Sequence, residues 1–260
     1  MSKKGRRPDF DTYYRDLFKS RWEGLKQAME ADSSHAELSR GLLKPYYLDA
    51  ASLFPVRALD VEGGINILDL CSAPGGKALA IAGSMGPEAQ LTVNDRSSLR
   101  RSRLRRVLEE HLETGILSRI TVTAHDAARW GLYEQNVYDR VLADVPCSSE
   151  RHLVQDPGHL KNWSPARTRH LAVQAYAILA AGFTALKPGG ILVYSTCALS
   201  PGENDDVIAK LLKRHGSECR LLQPDGTIGE ATEYGRIILP DNANGMGPIY
   251  YTAVTKARAF

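Results

Sequence analysis

The stretch LADVPCSSERH, residues 142–152, sets an apolar run of strand type directly against Asp144, Pro146 and Cys147. A second apolar run, ILVYSTC, ends at Cys197, so two thiols occupy equivalent settings after a strand. A thiolate is a strong nucleophile, but an ordinary cysteine, with a pKa of about 8.5, is only a few per cent thiolate at neutral pH. An attacking thiol here needs electropositive surroundings, for which Lys77, a cationic cofactor and nearby helix N-termini are the candidates. Each cysteine alone reads equally well as inert core packing. Two of them at adjacent strand ends beside a carboxylate favour chemistry, while position and charge leave open which one attacks.

The elements that must position these groups follow from periodicity. Strand-type runs INILDL (65–70), AQLTVN (89–94), RITVTA (119–124), YDRVLA (138–143) and ILVYST (191–196) alternate with helical segments near 76–84, 97–113, 165–186 and 203–215. Such alternation predicts a parallel sheet with helices on both faces. RIILP (236–240) and PIYYTAVTKA (248–257), joined by the turn-rich DNANGMG, predict a closing antiparallel hairpin. The expected fold is α/β, a mostly parallel seven-stranded Rossmann-like sheet of the type found in class I methyltransferases. Ligands of such sheets bind at the carboxyl ends of the strands. Those ends carry Asp69 and Cys71, Asp95, Asp126, Asp144 and Cys147, and Cys197.

ILDLCSAPGGK (67–77) reads as strand, glycine-rich turn and helix, without G-x-G-x-x-G spacing. Gly75 and Gly76 let backbone N–H groups approach a ligand, and the helix N-terminus suits an amino-acid carboxylate; the alternative is a tight turn with no ligand. Asp95 is placed to accept from ribose hydroxyls, or else to N-cap the helix RSSLRRSRLRRV. Asp126 is placed to receive an adenine amino group, or else to cap the next turn.

Composition sets the outer limits. With 260 residues, 43% hydrophobic and 24% charged, the chain suits one large domain with a small appendage. We divide it into residues 1–59, holding a basic tail (1–9), an amphipathic helix from Asp11 to Met29 and a connector (41–59), and residues 60–260, the catalytic domain. No apolar stretch approaches the ~18 residues of a membrane span, and MSKKGRRPDFD lacks the apolar segment of a secretory signal, so a cytoplasmic protein is expected. The four cysteines form no Cys-x-x-Cys pair and the seven histidines no zinc-type cluster, which predicts reduced thiols and no metal. A net charge of +3 permits a nucleic-acid partner without demanding one.

LDLCSAPGGK, DVPCSS and STCALSPGEND resemble three signature motifs of the Sun/Fmu (RsmB-like) RNA cytosine-C5 methyltransferases, which use S-adenosylmethionine. YYLDAASLFPVRAL is similar to that family's pre-domain motif, RIILP with NGMGPIYY to its closing hairpin, and DVPCSSERH with GPIYY to its organellar branch, which modifies ribosomal or transfer RNA. The resemblance implies cofactor contacts from Cys71, Ser72, Ala73, Pro74, Gly75, Gly76 and Lys77, and from Asp95, Asp126 and Asp144, with Arg100 from the same branch. Carbon 5 of cytosine is too electron-poor to take a methyl group until a thiolate adds to carbon 6 and makes the ring an enamine. Asp144 would hydrogen-bond the base as charge develops, with Lys77 as a nearby cation. The Pro-Cys motif of DNA cytosine methyltransferases nominates Cys147, but it continues with glutamine there and with Ser148 here. The Thr-Cys motif of the RNA family nominates Cys197, leaving Cys147 to assist release. Ser149 and Glu150 depart from the commoner Pro-Cys-Ser-Gly. DVPC also lacks the aromatic after Asp-Pro-Pro that N6-adenine methylation requires.

The expected partner is RNA, ribosomal rather than transfer. Residues 150–163 are either a lid with His152 or Trp163 stacking on an extruded base, or a structural loop with Trp163 in the core. Arg100, Arg101, Arg103, Arg105 and Arg106 form either a phosphate-contacting helix or a solvated face. Target choice falls to the N-terminal segment, the rim or a partner protein, and a monomer is expected. The rival readings are a non-catalytic RNA-binding assembly factor on the same fold, and methylation of a protein or small molecule, which needs no cysteine pair.

Overall fold

The computed structural model describes residues 8–161, 163–223 and 228–258, so the basic tail lies outside the described residues except for Pro8 and Asp9. Asp9 caps the first helix by accepting from the Thr12 amide at 2.8 Å. The stripe Tyr14, Trp22, Leu25, Met29 runs along two helices, α1 (Phe10–Phe18) and α2 (Trp22–Glu30), where periodicity predicted one. Lys19, at φ 54°, breaks the helical path between them. All four residues of the stripe are fully buried.

A short antiparallel ribbon, β1 (His35–Leu38) with β2 (Tyr46–Asp49), precedes α3 (Leu53–Ala58). Then come β3 (Asn66–Asp69), α4 (Gly76–Ala82), β4 (Gln90–Asn94), α5 (Ser98–His111), α6 (Thr114–Leu117), β5 (Ile120–Thr123) and β6 (Tyr138–Asp144). Two short helices, α7 (Glu150–Gln155) and α8 (Pro157–Leu160), lead to the long α9 (Pro165–Ala185), β7 (Leu186–Thr196) and α10 (Asp205–His215). The chain closes with β8 (Cys219–Leu222), β9 (Glu230–Ala231), β10 (Arg236–Ile238) and β11 (Ile249–Lys256).

The main sheet runs β5-β4-β3-β6-β7-β11-β10-β9. Strands β3 to β7 are parallel, and β11 returns antiparallel against β7. The seven expected strands are all present. The sheet has nine because β8 also pairs with β11 and β9 adds an edge. Strands β3, β4 and β5 step one way from the centre while β6 and β7 step the other, so the switch point lies between β3 and β6. Their carboxyl ends are Asp69 and Asp144.

Two apolar layers cover the sheet. One packs α3, α4 and α5 through Leu79, Ile81, Leu104 and Leu108. The other packs α9 and α10 together with the N-terminal helices, so Tyr14, Trp22 and Leu25 share a core with Leu179, Phe183 and Tyr194. Trp163 joins this second layer, with ring centroids 5.3 Å from Phe10 and 5.3 Å from Tyr13. It is therefore core packing and not a stacking platform. Residues 150–160, which lack periodicity, form helices too short to complete an apolar repeat.

Trp22 stacks on Tyr14 at 5.2 Å and meets Phe10 edge-on at 5.7 Å. Trp22→Ala is expected to cost about 3–5 kcal/mol of unfolding free energy, measured by urea titration, because a fully buried indole leaves a cavity that a sheet-backed core cannot close.

Candidate active site

Parallel pairing of β6 with β7 sets Asp144 opposite Ser195. The chain after each strand turns onto the same rim, and Cys147 Sγ comes to lie 2.9 Å from Cys197 Sγ. The Cys197 amide donates to Cys147 Sγ at 3.2 Å, and Ser149 Oγ lies 2.9 Å from Cys197 Sγ. Asp144 is held from two sides: Lys77 Nζ, from the first turn of α4, donates to Oδ2 at 2.8 Å, and Ser195 Oγ donates to Oδ1 at 2.7 Å. The structure thus brings Asp144, Cys147, Cys197 and Lys77 into one cluster, from three separate elements.

The two thiols differ electrostatically. Hydrogen bonds from the Cys147 thiol and then the Ser149 hydroxyl lower the Cys197 pKa despite burial. Giving that bond, together with burial, drives the Cys147 thiol well up. Of the two thiols, Cys197 is therefore the one that gives up its proton more readily. Burial works against the Lys77 charge, but the Asp144 carboxylate outweighs it and Cys197 adds to the effect, so the ammonium is held more firmly than usual. Burial and then Asp69 push the Cys71 thiol well up, and burial takes Cys219 to about 11, which leaves both unreactive. Asp69, 1% exposed beneath the turn, is raised to about 7 by burial and by Asp144.

Two cavities meet at this rim. The larger, about 550 Å³, is lined by Cys71, Ala73, Lys77, Arg100, Asp144, Cys147 and Cys197, with Asp49, Arg151 and Gln155 on its outer wall. The smaller, about 150 Å³, holds Asp95, Asp126 and His125, and shares Cys71, Arg100 and Pro146 with the larger. Asp95 accepts from the Ser97 amide at 2.8 Å and pairs with Arg100 at 3.4 Å, while Ser97, not Asp95, caps α5. Asp126 caps the turn Ala127–Leu132 and also faces the cavity. In the rest of the turn Pro74 is exposed, Gly75 is buried and Gly76 is half-buried. Ser72 is buried, donating to the Asp69 carbonyl and accepting from Asn94 N. A Cβ on Gly75, at φ +125°, would come within 3.0 Å of Val107, and one on Gly76 within 3.1 Å of Tyr46. These glycines let α5 and β2 close over the turn.

Several groups at the site carry no readable signal in the sequence. Ser149 is a departure from a motif until Cys197 appears beside it, and Ser195 is strand filler until β6 is in register. Arg151 donates to the carbonyls of Ala31, Gly245 and Gly247, and Gln155 to those of Met29 and Ala31, so α7 joins the N-terminal helices to the β10–β11 loop. The PGEND segment pins the Cys197 loop: Asn204 bonds Thr196 and Ala198, and Asp205 accepts from Tyr250 and Thr232.

A crevice at the switch point of a parallel sheet, acidic at its far end and thiol-bearing at its near end, on a sheet closed by an antiparallel strand, defines the class I methyltransferase architecture. Residues 56–255 match the family described as 16S rRNA methyltransferase RsmB/F, and the chain belongs to that family. It is 36% identical over 230 residues to the 5-cytosine rRNA methyltransferase NSUN4 of Bos taurus, covering 82% of this chain and 60% of that protein. It is 34% identical over 229 residues to the mitochondrial tRNA (cytosine(34)-C(5))-methyltransferase of Danio rerio, covering 83% and 62%. The ribosomal RNA small subunit methyltransferase F of Enterobacter sp. is 35% identical over 202 residues, covering 77% and 41%. The chain spans less than two thirds of each of these relatives. Among solved structures, a methyltransferase homologue from Pyrococcus horikoshii superposes with a TM-score of 0.72 at 21% identity, over 94% of this chain and 93% of that one. NSun6 from the same organism gives 0.70 at 21% identity, over 85% and 55%.

Thiol labelling checks the electrostatics directly. With limiting iodoacetamide at neutral pH, Cys197 is expected to label first by mass spectrometry, ahead of Cys71, Cys147 and Cys219. Ser149→Ala should slow Cys197 labelling by roughly 3–10-fold, since one pKa unit is tenfold in thiolate.

Proposed function

We propose that this protein transfers a methyl group from S-adenosylmethionine to carbon 5 of a cytosine in RNA. The observation that carries the reading is the thiol pair, with Cys197 stabilised as thiolate by Cys147 and Ser149 next to the Lys77–Asp144 ion pair. S-adenosylmethionine supplies an electrophilic methyl group. Asp95 and Asp126 offer acceptors to its nucleoside, and Cys71, Ala73, Lys77 and Arg100 line the passage towards the thiols. The donor set fits that group: acidic where hydroxyls and an amine would sit, and of ordinary ligand-pocket size at about 550 Å³.

In this reading Cys197 Sγ adds to carbon 6, forming an Sγ–C6 bond and placing nucleophilic density on carbon 5. Asp144, held in place by Lys77 and Ser195, accepts from the exocyclic amine and orients the ring. Once carbon 5 carries the methyl group, a base takes its proton, the C5–H electron pair restores the C5–C6 double bond, and the Sγ–C6 bond breaks to return the thiolate to Cys197. Cys147, in contact with the departing sulfur, assists that release. Asp49, Arg151, His152, Gln155 and Gly247 form the wall an extruded base would meet. The exposed Arg103, Arg105 and Arg106 on α5 offer phosphate contacts nearby.

Ribosomal RNA is favoured as substrate because relatives named for it match at 36% and 35% identity; transfer RNA is the alternative, from a relative at 34%. A non-catalytic assembly factor would have no need of a lowered Cys197. We keep the division into an N-terminal extension (1–59), which contributes to target choice with or without a partner protein, and a catalytic domain (60–260) acting as a monomer. Among the described residues no helix is long and apolar enough to cross a membrane, and the free thiols suit a reducing compartment such as the cytoplasm. The relative named as mitochondrial makes that organelle the competing location.

The test is to incubate wild type, Cys147→Ala and Cys197→Ala with cofactor and ribosomal or transfer RNA. Denaturation-resistant protein–RNA adducts should accumulate with Cys147→Ala and be absent with Cys197→Ala, whose methylation should fall at least ~10³-fold. The reverse pattern overturns the assignment, and methylation surviving in both variants removes the covalent mechanism.

A further inference from the structure

Directly behind the thiols, two glutamates are sealed from solvent: Glu150 is 0% exposed and Glu203 1%. Glu150 opens α7, three residues after Cys147, and Glu203 belongs to the loop that follows Cys197. Between them sits Ser148, also buried. Its hydroxyl contacts Glu150 Oε1 and lies 2.6 Å from Glu203 Oε1, and its amide donates to Glu203 Oε2 at 2.9 Å. Tyr14, from α1, contacts Glu150 Oε1 through its hydroxyl, and the Leu199 amide donates to Glu150 Oε2 at 3.0 Å.

Counting hydrogens in this cluster leads to a specific protonation state. There are three oxygen–oxygen contacts, Tyr14 to Glu150, Ser148 to Glu150 and Ser148 to Glu203, and two hydroxyl protons to fill them. With both carboxylates ionised, one contact would set a serine lone pair against a buried anion. We propose that Glu150 and Glu203 hold one proton between them across Ser148, and that this acid–carboxylate pair positions the Cys147 and Cys197 loops against each other. Glu203 carries the proton and donates to Ser148 Oγ, and Ser148 donates to an ionised Glu150, which also accepts from Tyr14 and Leu199.

Every group facing the pair agrees with that placement. Burial and then the Glu150 charge raise Glu203 to about 7, and burial raises Glu150. Tyr14 is itself pushed well up by burial and by Glu150, so it stays a donor. Cys147 and Cys197 contribute no cation, and Tyr194 packs against Glu203 as a neutral phenol donating to its carbonyl. The cation that bears on Glu203 is Arg167, exposed on the first turn of α9 and too solvated to hold both carboxylates ionised. These glutamates touch no substrate; they are positioning residues.

A carboxyl raised in the folded state from its ordinary 4.5 to about 7 gives stability that is full below about 4.5 and lost as pH rises through about 7. Asp69, also at about 7, adds its own fall, so the comparison must be between variants. Glu203→Gln keeps an oxygen for the Ser148 amide and places an N–H permanently on Ser148 Oγ. Its melting temperature relative to wild type is expected to rise by roughly 5 °C between about pH 5 and about pH 8. Glu150→Gln has no such solution, because Tyr14 and Leu199 both need an acceptor, and it should be less stable than Glu203→Gln throughout. A Glu203→Gln difference that stays constant with pH, or the opposite order of the two variants, overturns the proposal. Should Glu203→Gln fail to fold, infrared spectra of wild type with carbon-13 glutamate decide: a glutamic-acid carbonyl band persisting to about pH 7 supports the shared proton, and complete ionisation by about pH 6 overturns it. The effect on catalysis rests on Cys197 being the nucleophile. The unfolding and infrared measurements need no RNA, so failure of the shared proton and failure of the methylation reading are told apart.

Discussion

The pairing register of β6 with β7 is the constraint on which the rest of the site depends. With Asp144 opposite Ser195, both strands end at the same height, and the residues beyond them have only one rim on which to turn. A slip of one residue would reverse every side chain on β7, burying Ser195 in an apolar layer and taking its hydroxyl from Asp144. The register is fixed by burial on both faces: Val141 and Leu192 belong to the core on one side, Leu142 and Val193 on the other. The chemistry of the thiols is in this sense a consequence of how four aliphatic side chains pack.

Given that register, the electrostatics divide into three layers moving inward from solvent. The outermost is the Lys77–Asp144 pair, partly exposed and therefore able to exchange its partners for a ligand. Next is the thiol pair, where one hydrogen bond sorts proton from charge. Deepest are the carboxyls, Asp69 under the glycine turn and Glu150 with Glu203 behind the thiol loops, where ionisation is costly enough that protons are retained near neutrality. Adding a negative charge to any inner layer would raise the pKa of the layer above it. The proton that we propose Glu150 and Glu203 share removes one of the negative charges that would oppose deprotonation of Cys197.

How much of this was legible depended on whether the signal was local. The alternation of apolar runs gave the parallel sheet, and the residues that end each strand gave the rim, because both are properties of short segments. The thiol pair, the Asp144 position and the acids at Asp95 and Asp126 were readable for the same reason. What escaped was carried by elements too short to show a period, the β1–β2 ribbon and α7, or by partnerships between distant segments such as Tyr14 with Glu150. Trp163 shows the limit well: its neighbours in sequence are polar, and only the arrival of Phe10 and Tyr13 from the N-terminus makes it core. Gly75 and Gly76 carry a further demand that the motif does not display, since the lack of a Cβ also lets α5 and β2 pack closely over the turn.

The N-terminal helices thus do more than extend the domain. Tyr14 reaches the carboxyl pair behind the thiols, and the carbonyls of Met29 and Ala31 receive Gln155 and Arg151, so both ends of α7 are fastened to the same appended unit. Because α7 begins at Glu150, three residues from Cys147, its orientation and that of the cysteine loop are set together. Arg151 and Gln155 also line the outer wall of the larger cavity. One small helix therefore faces the thiols with its first turn, the entrance with its side chains and the appendage with its hydrogen bonds. The N-terminal helices are thus tied through α7 to the loop carrying Cys147 and Ser149, the two groups that hydrogen-bond Cys197 Sγ.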